Sequence, residues 1–87
     1  MDKILIIDDE QMIRESLKDF LEDEGFIVYI AEDAEKAMEL IHQEPFSGAI
    51  VDMRLPGMDG NNFILNSNKI QKKLKYIIHT GSASYDI

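Results

Sequence analysis

The chain has 87 residues, a formal charge of −8 and no cysteine. A chain of this length allows one domain with one core, and without cysteine it has no disulfide framework or thiolate metal site, which favours the cytoplasm. No export signal or bilayer-spanning run of roughly 20 apolar residues is visible. The acidic charge opposes direct binding to nucleic acid or to an anionic membrane, so cations and basic protein surfaces are the better partners.

The first predicted strand covers Lys3 to Ile7, a short apolar run rich in β-branched residues. Such a run is typical of a strand that is buried on both faces. The run stops at Asp8, Asp9 and Glu10. Apolar residues then recur at helical spacing up to Gly25, which predicts a first helix that ends at this glycine.

The middle of the chain repeats this order of strand and helix. Phe26 to Ile30 predicts the second strand, and Asp33 precedes a second helical pattern that closes near Pro45. Gly48 to Val51 predicts a third buried strand, and Asp52 follows it directly. A carboxylate therefore ends the third strand as well as the first.

The last part of the chain begins with an irregular loop. Met53 to Gly60 contains a proline and two glycines, which exclude regular structure. A third helix is expected from Asn61 to Lys75, although its many asparagines are poor helix formers, so this helix and the tail should be the labile part. Tyr76 to His79 predicts the fourth strand, and Thr80 follows it.

Strands that alternate with single helices favour parallel pairing with helices on both faces of the sheet. The sequence therefore predicts an α/β fold with a doubly wound parallel sheet, whose ligands bind at the carboxyl ends of the strands. Asp8, Asp9, Asp52 and Thr80 all follow strands and should gather at this edge. If the first and third strands are neighbours, the three carboxylates converge and favour a cation. Two carboxylates and a backbone carbonyl of the loop would suit Mg²⁺.

Structural explanations compete with a metal site. Asp8, Asp9 and Glu10 can serve simply as caps at the positive end of the first helix. Asp52 fits this explanation less well, because a Pro-Gly turn follows it instead of an immediate helix. Thr80 is of a residue type that is common in strands and turns.

The other polar residues fit structural roles or fail the motifs of known sites. His42 lies near a helix end, where a cation suits the helix dipole, and His79 lies inside a strand. Arg54 and Pro56 stand where an EF-hand loop needs oxygen ligands, and neither a nucleophilic serine motif nor a phosphate-binding glycine loop is found. Four lysines fit a solvated helix face: Lys69, Lys72, Lys73 and Lys75.

Three motifs, in order along the chain, resemble the receiver domains of bacterial two-component response regulators. Lys3 to Glu10 resembles the first strand and acidic pair of the receiver, and Val51 to Gly60 resembles its phosphoacceptor segment. Tyr76 to Gly81 is similar to the fourth strand, which ends in a switch hydroxyl. The amino-acid sequence of the middle motif is most similar to that of receivers of the nitrogen-regulatory type.

The resemblance implies a flavodoxin-like fold and a phosphorylation switch that uses Mg²⁺. Asp52 would accept a phosphoryl group from a sensor histidine kinase or a phosphotransfer protein. Asp9 would bind Mg²⁺ directly and Asp8 mainly through water, while Asp52 and the backbone carbonyl of Arg54 would complete the ligands. Thr80 would hydrogen-bond the phosphoryl group. The chain would catalyse at most its own phosphorylation and dephosphorylation.

The family also has a fifth strand that begins with a lysine, and no residue here matches that lysine. We therefore expect a receiver over 1–87 with an incomplete sheet of four strands in the order 2-1-3-4, about three helices and a weakened phosphoryl site. A bare fourth strand predicts a homo-oligomer. Two rivals are an assembly module with an unused acidic pocket and an aspartyl-phosphate phosphatase. The phosphatase fits poorly, because Arg54 stands where that family expects a second acid.

Overall fold

The computed structural model describes residues 2–54 and 59–79 of the chain. Strands and helices alternate along these residues, as the sequence predicts. The elements are β1 (Lys3–Ile7), α1 (Gln11–Asp23), β2 (Ile27–Ala31), α2 (Ala34–Gln43), β3 (Gly48–Asp52), α3 (Gly60–Ile70) and β4 (Lys75–His79). None of these helices has both the length and the apolarity of a membrane span.

The four strands form one parallel sheet in the order β2-β1-β3-β4. This confirms the predicted α/β fold, the strand order 2-1-3-4 and the three helices. In the register of the sheet, Ile7 at the end of β1 pairs with Ala31 on one side and Val51 on the other. The carboxyl ends of these strands therefore lie at one edge of the sheet. At this edge Asp8 follows β1 and Asp52 is the last residue of β3.

The core lies between the sheet and the helices α2 and α3. Strand side chains alternate between the two faces of a sheet, so Leu5 and Ile7 contact this core while Ile4 lies on the opposite face, towards α1. The buried residues that fill the core include Leu5, Ile7, Ala37, Ile41, Ala49, Val51 and Phe63. This packing holds β1 and β3 side by side and fixes the positions of the acidic residues that follow them.

The ends of the helices follow local rules that the sequence reveals in part. Gly25 follows α1 with a φ of +99°, a left-handed conformation that glycine adopts readily, which explains why the helix ends there. The carboxylate of Asp33 accepts a hydrogen bond from the backbone N–H of Lys36 at 2.8 Å and begins α2. The carboxylate of Asp59 accepts one from Asn62 at 2.9 Å and begins α3 in the same way.

Helix α3 is shorter than the sequence predicts, because it ends at Ile70 and not near Lys75. Just after the end of the helix, the side chain of Gln71 forms hydrogen bonds with backbone groups elsewhere in the chain. Its amide oxygen accepts a hydrogen bond from the backbone N–H of Phe46 at 2.8 Å, and its amide nitrogen donates to the carbonyl oxygens of Ile41 and Glu44. These bonds attach the end of α3 to the end of α2.

The early end of α3 also corrects the prediction of a lysine-bearing helix face. Lys69 lies in α3, Lys72 and Lys73 lie in the turn that follows, and Lys75 begins β4. All four lysines are exposed to solvent. They lie on three successive parts of the chain, and not on one face of a single helix.

Candidate functional site

Three carboxylates meet at the carboxyl edge of the sheet. Asp52 is the last residue of β3, and Asp8 follows the neighbouring strand β1. One carboxylate oxygen each from Asp8, Asp9 and Asp52 lie within 4.8 Å of one another. The parallel pairing of β1 and β3 thus brings together three of the residues that the sequence singled out.

Backbone hydrogen bonds hold the two buried carboxylates of this cluster. Oδ1 of Asp8 accepts a hydrogen bond from the backbone N–H of Glu10 at 2.8 Å, and Oδ1 of Asp52 accepts one from Arg54 at 3.0 Å. In each turn an aspartate accepts a hydrogen bond from the backbone N–H two residues later, which orients its side chain locally. Asp8 is 1% exposed and Asp52 is 3% exposed.

Helix capping does not explain the acidic run. Glu10 occupies the N-cap position of α1, yet its side chain makes no capping hydrogen bond, and the first turn of the helix holds no acidic residue. Asp33 and Asp59 do accept such bonds at the starts of α2 and α3. Asp8 instead bonds a backbone group that precedes the helix.

An arginine that sequence reasoning did not single out helps to hold the end of β1. Nη1 of Arg14 donates a hydrogen bond to the backbone carbonyl oxygen of Asp8 at 2.8 Å. This bond ties the first turn of α1 to the residue that carries a buried carboxylate. The only signal in the sequence is a cation about one helical turn after the acidic run, which is too common to be diagnostic.

A cavity of about 340 Å³ opens beside the carboxylates, lined by Asp9, Glu10, Asp52 and Arg54. A water molecule takes up about 30 Å³ of liquid volume, so the cavity has room for a hydrated ion and a further small group. Two unit charges about 5 Å apart repel by roughly 3 kcal/mol at an effective dielectric constant of about 20. A hard divalent cation would offset this repulsion, and carboxylate oxygens are the ligands that Mg²⁺ prefers. The residues present therefore fit Mg²⁺.

Two predicted site features stay predictions. Arg54 lines the cavity, and its backbone N–H donates a hydrogen bond to Asp52. Metal binding by the carbonyl oxygen of Arg54 stays a prediction. Thr80 lies outside the described residues. His42 lies exposed in the last turn of α2, near the helix end as the sequence predicts.

The family model described as the response regulator receiver domain matches residues 4–87. The chain belongs to this family. Receiver domains are signalling domains and not enzymes, so the phosphatase interpretation is wrong. The acidic cluster of Asp8, Asp9 and Asp52 in this receiver domain is typical of the magnesium sites of the family.

Known proteins resemble this receiver domain along most of its length. Sporulation initiation phosphotransferase F of Bacillus subtilis is 30% identical over 86 residues, which cover 99% of this chain and 69% of that protein. Response regulator GtcR of Aneurinibacillus migulanus is 46% identical over 61 residues, which cover 70% of this chain and 25% of that regulator. The chain therefore matches only part of each relative.

Solved structures share the fold closely. A CheY-like receiver domain protein of Methanospirillum hungatei has a TM-score of 0.91 and 38% identity, over 97% of this chain and 67% of that one. TrrA of Thermotoga maritima, solved in complex with Mg²⁺-BeF, has a TM-score of 0.87 and 34% identity, over 95% of this chain and 72% of TrrA. TrrA has also been crystallised with the histidine kinase ThkA, with a TM-score of 0.86 over 98% of this chain and 73% of that one.

Proposed function

We propose that this receiver domain is a cytoplasmic phosphoacceptor whose Asp52 takes a phosphoryl group from a sensor histidine kinase or a phosphotransfer protein in the presence of Mg²⁺. The observation that carries the proposal is the meeting of carboxylate oxygens from Asp8, Asp9 and Asp52 within 4.8 Å at the carboxyl edge of the sheet. The structures of TrrA with Mg²⁺-BeF and with a histidine kinase support the same assignment.

The transfer is a single displacement at phosphorus. A carboxylate oxygen of Asp52 forms a bond to the phosphorus atom of a phosphohistidine as the phosphorus–nitrogen bond breaks. The departing imidazole nitrogen keeps the electron pair of that bond and takes up a proton. The hydrogen bond from the N–H of Arg54 to Oδ1 of Asp52 fixes the orientation of the nucleophile before the donor arrives.

The other residues of the site would bind Mg²⁺ or the phosphoryl group. Bound Mg²⁺ would neutralise charge that develops on the transferring phosphoryl oxygens. Asp9, which is exposed beside the cavity, would hold the ion directly, and the buried Asp8 would hold it mainly through water. The carbonyl of Arg54 would complete the protein ligands, and Thr80 would hydrogen-bond the phosphoryl group.

Intact-mass measurement after incubation with a small phosphodonor and Mg²⁺ tests the proposal. We expect the mass of one phosphoryl group to appear in the wild type and to be absent from Asp52→Asn. Asp59→Asn is a matched control, because asparagine is also a good N-cap and should preserve the start of α3. Addition that persists in Asp52→Asn, or no addition to a wild type that binds Mg²⁺, would contradict the phosphoacceptor assignment.

A second function, self-association, has its own structural support in a groove between α1 and β4. The groove has a volume of about 570 Å³ and is lined by Met12, Ile13, Ser16, Leu17, Ile50 and Ile77. Ile77 is 64% exposed, and in the described residues β4 pairs only with β3. An apolar groove beside an edge strand is typical of a surface that binds another protein segment.

A second copy of this chain is the occupant that we propose for the groove. Lys75 at the start of β4 is exposed and basic, whereas the exposed surface of α1 is acidic, with Glu15, Asp19 and Asp23. Two copies that place β4 of each against α1 of the other would bring opposite charges together. They would also bury the apolar side chains of both grooves.

Sedimentation velocity over a range of protein concentrations tests this contact. We expect the wild type to associate and Ile77→Lys to be monomeric, because the new charge would lie in the buried centre of the contact. Leu65→Lys is the matched control, since Leu65 on α3 is 62% exposed and the change in charge is the same. A wild type that is monomeric at every concentration, or association that survives Ile77→Lys, would exclude this surface.

A further inference from the structure

The first residue of α3, Gly60, packs against the backbone that follows the candidate phosphoacceptor. Gly60 is buried, and its N–H donates a hydrogen bond to the carbonyl oxygen of Met53 at 3.3 Å. A Cβ atom on Gly60 would lie 2.6 Å from Sδ of Met53, 2.9 Å from Cα of Met53 and 3.3 Å from the carbonyl oxygen of Asp52. The space beside this residue is therefore too small for any side chain.

Two of these three contacts involve backbone atoms. The thioether of Met53 can rotate away from an added methyl group, but its Cα cannot move without moving the chain on both sides. Carbon atoms in contact prefer a separation of about 3.5–4.0 Å, so a methyl group on Gly60 would displace Met53 by a substantial part of an ångström. The φ of Gly60 is not positive, and the requirement for glycine is one of space.

Met53 lies between the two ends of the hydrogen bond that fixes the nucleophile. The backbone N–H of Arg54 donates to Oδ1 of Asp52 at 3.0 Å across Met53. A displacement of Met53 would therefore change the direction of the Asp52 carboxylate and the position of Arg54 together. The start of α3 cannot readily yield instead, because the Asp59 carboxylate caps it through the N–H of Asn62.

We propose that Gly60 is a positioning residue of the metal and phosphoacceptor site. It lets the start of α3 lie directly against Met53, and this contact holds the turn from Asp52 to Arg54 in the conformation that binds Mg²⁺. The inference rests on the proposed magnesium site. It adds a residue that touches neither the ion nor the phosphoryl group but sets the geometry of those that do.

Calorimetric titration of Mg²⁺ into Gly60→Ala, with thermal unfolding in chelator as a measure of folding, tests the inference. Loss of supporting contacts around a metal ligand typically weakens affinity by about 10- to 100-fold, and we expect a loss at the lower end of this range. Gly48→Ala, on the strand β3 that also carries Asp52, is the matched control. There a Cβ atom would meet Cδ1 of Ile4 at 3.4 Å and the carbonyl oxygen of Lys75 at 3.6 Å, which are ordinary contacts. Its Mg²⁺ affinity should equal that of the wild type.

The double variant Gly60→Ala/Met53→Ala separates the two kinds of contact. It removes the sulfur atom but leaves Cα of Met53 and the carbonyl of Asp52 in place, so we expect Mg²⁺ affinity to stay low. Recovery of affinity in this variant would overturn the proposed backbone route, as would a folded Gly60→Ala with unchanged affinity. A wild type that binds no Mg²⁺ would instead refute the proposed function itself.

A second pair of variants tests the inference even if Gly60→Ala fails to fold. Asp59→Ala removes the cap that fixes the start of α3, and Asp33→Ala removes the equivalent cap of α2. Each should lower the midpoint of thermal unfolding in chelator by a similar amount. Only Asp59→Ala should also weaken Mg²⁺ binding, and equal affinities in the two variants would contradict the role given to the start of α3.

Discussion

Asp8 and Asp52 are nearly fully buried within reach of a third carboxylate, Asp9, which lies at the surface. Their hydrogen bonds to the backbone offset part of the cost of burying charge. The mutual repulsion of three negative groups is not offset by these bonds. At the scale of single residues, the site is therefore arranged for a cation at some expense to the stability of the metal-free protein.

Asp9→Asn should stabilise the metal-free protein and weaken Mg²⁺ binding. Removing one charge relieves repulsion, and we expect a gain of about 1 kcal/mol in the free energy of unfolding, because solvent screens most of the field around exposed Asp9. Urea unfolding with chelator and with Mg²⁺ measures both effects. Asp19→Asn makes the same change in charge on the exposed surface of α1 and should have neither effect. A less stable metal-free Asp9→Asn would contradict the electrostatic account.

Lys3 should contribute a pH-dependent stabilisation through its contact with Glu44. Nζ of Lys3 donates a hydrogen bond to Oε1 of Glu44 at 2.6 Å, and this bond raises the pKa of Lys3 despite the opposing effect of desolvation. Because the pKa is higher in the folded state, the contribution is complete below the pKa of the unfolded chain. It is lost as the pH rises through the pKa of the folded state.

Urea midpoints of Lys3→Met and the wild type at neutral pH and above the raised pKa of Lys3 test this linkage. Methionine keeps much of the apolar stem of lysine, so we expect Lys3→Met to be less stable at neutral pH and the difference to shrink at high pH. Lys18→Met is a useful comparison, because Lys18 forms a more exposed pair with Glu22. A stability difference for Lys3→Met that is independent of pH would refute the linkage.

At the scale of elements, one glutamine joins α3 to α2. The Gln71 side chain makes hydrogen bonds of 2.7 to 2.8 Å with three backbone groups at the end of α2 and in the loop before β3. Gln71→Ala would leave these partly buried groups unsatisfied, and we expect a loss of about 2 kcal/mol in the free energy of unfolding. Gln43→Ala, at an exposed position of α2, should change stability by less than about 0.5 kcal/mol. Equal effects would contradict the proposed link.

Local sequence patterns predicted the elements well, because local rules determine most of their ends. The apolar run from Lys3 to Ile7 predicted β1. Gly25 predicted the end of α1, and in the structure this glycine adopts a left-handed conformation just after the helix. The end of α3 was predicted wrongly, because Gln71 bonds residues 25 to 30 positions away in the chain. No periodicity within the helix can reveal such partners.

In the site as well, features set by general rules of strand pairing were predictable, whereas individual contacts in three dimensions were not. Asp8 and Asp52 could be placed together from the sequence because parallel strands bring their carboxyl ends to one edge. Gly60 could be assigned only to a loop, because its contact with Met53 depends on how the chain returns after the loop. Arg14 was missed for a different reason, since its partner is a backbone carbonyl and not a charged side chain.

At the scale of the whole molecule, the described helices cover the two faces of the sheet unequally. α2 and α3 enclose a core on one face, and α1 packs on β1 and β2 on the other. Strands β1 and β3 lie in the middle of the sheet, with a strand on each side. We therefore expect resistance to local opening to be greatest in these two strands and to decrease towards β4 and α3.

Amide hydrogen exchange should follow this gradient. The amides of Leu5, Ile7 and Val51 should exchange only through global unfolding, because their side chains are fully buried in the central strands. Amides of α3 should exchange faster than those of α2, since α3 is rich in asparagine, a poor helix former, and packs largely against α2. Mass spectrometry of peptides from each element measures these rates. Protection in α3 equal to that of β1 would show that α3 opens only with the core, and the gradient would be wrong.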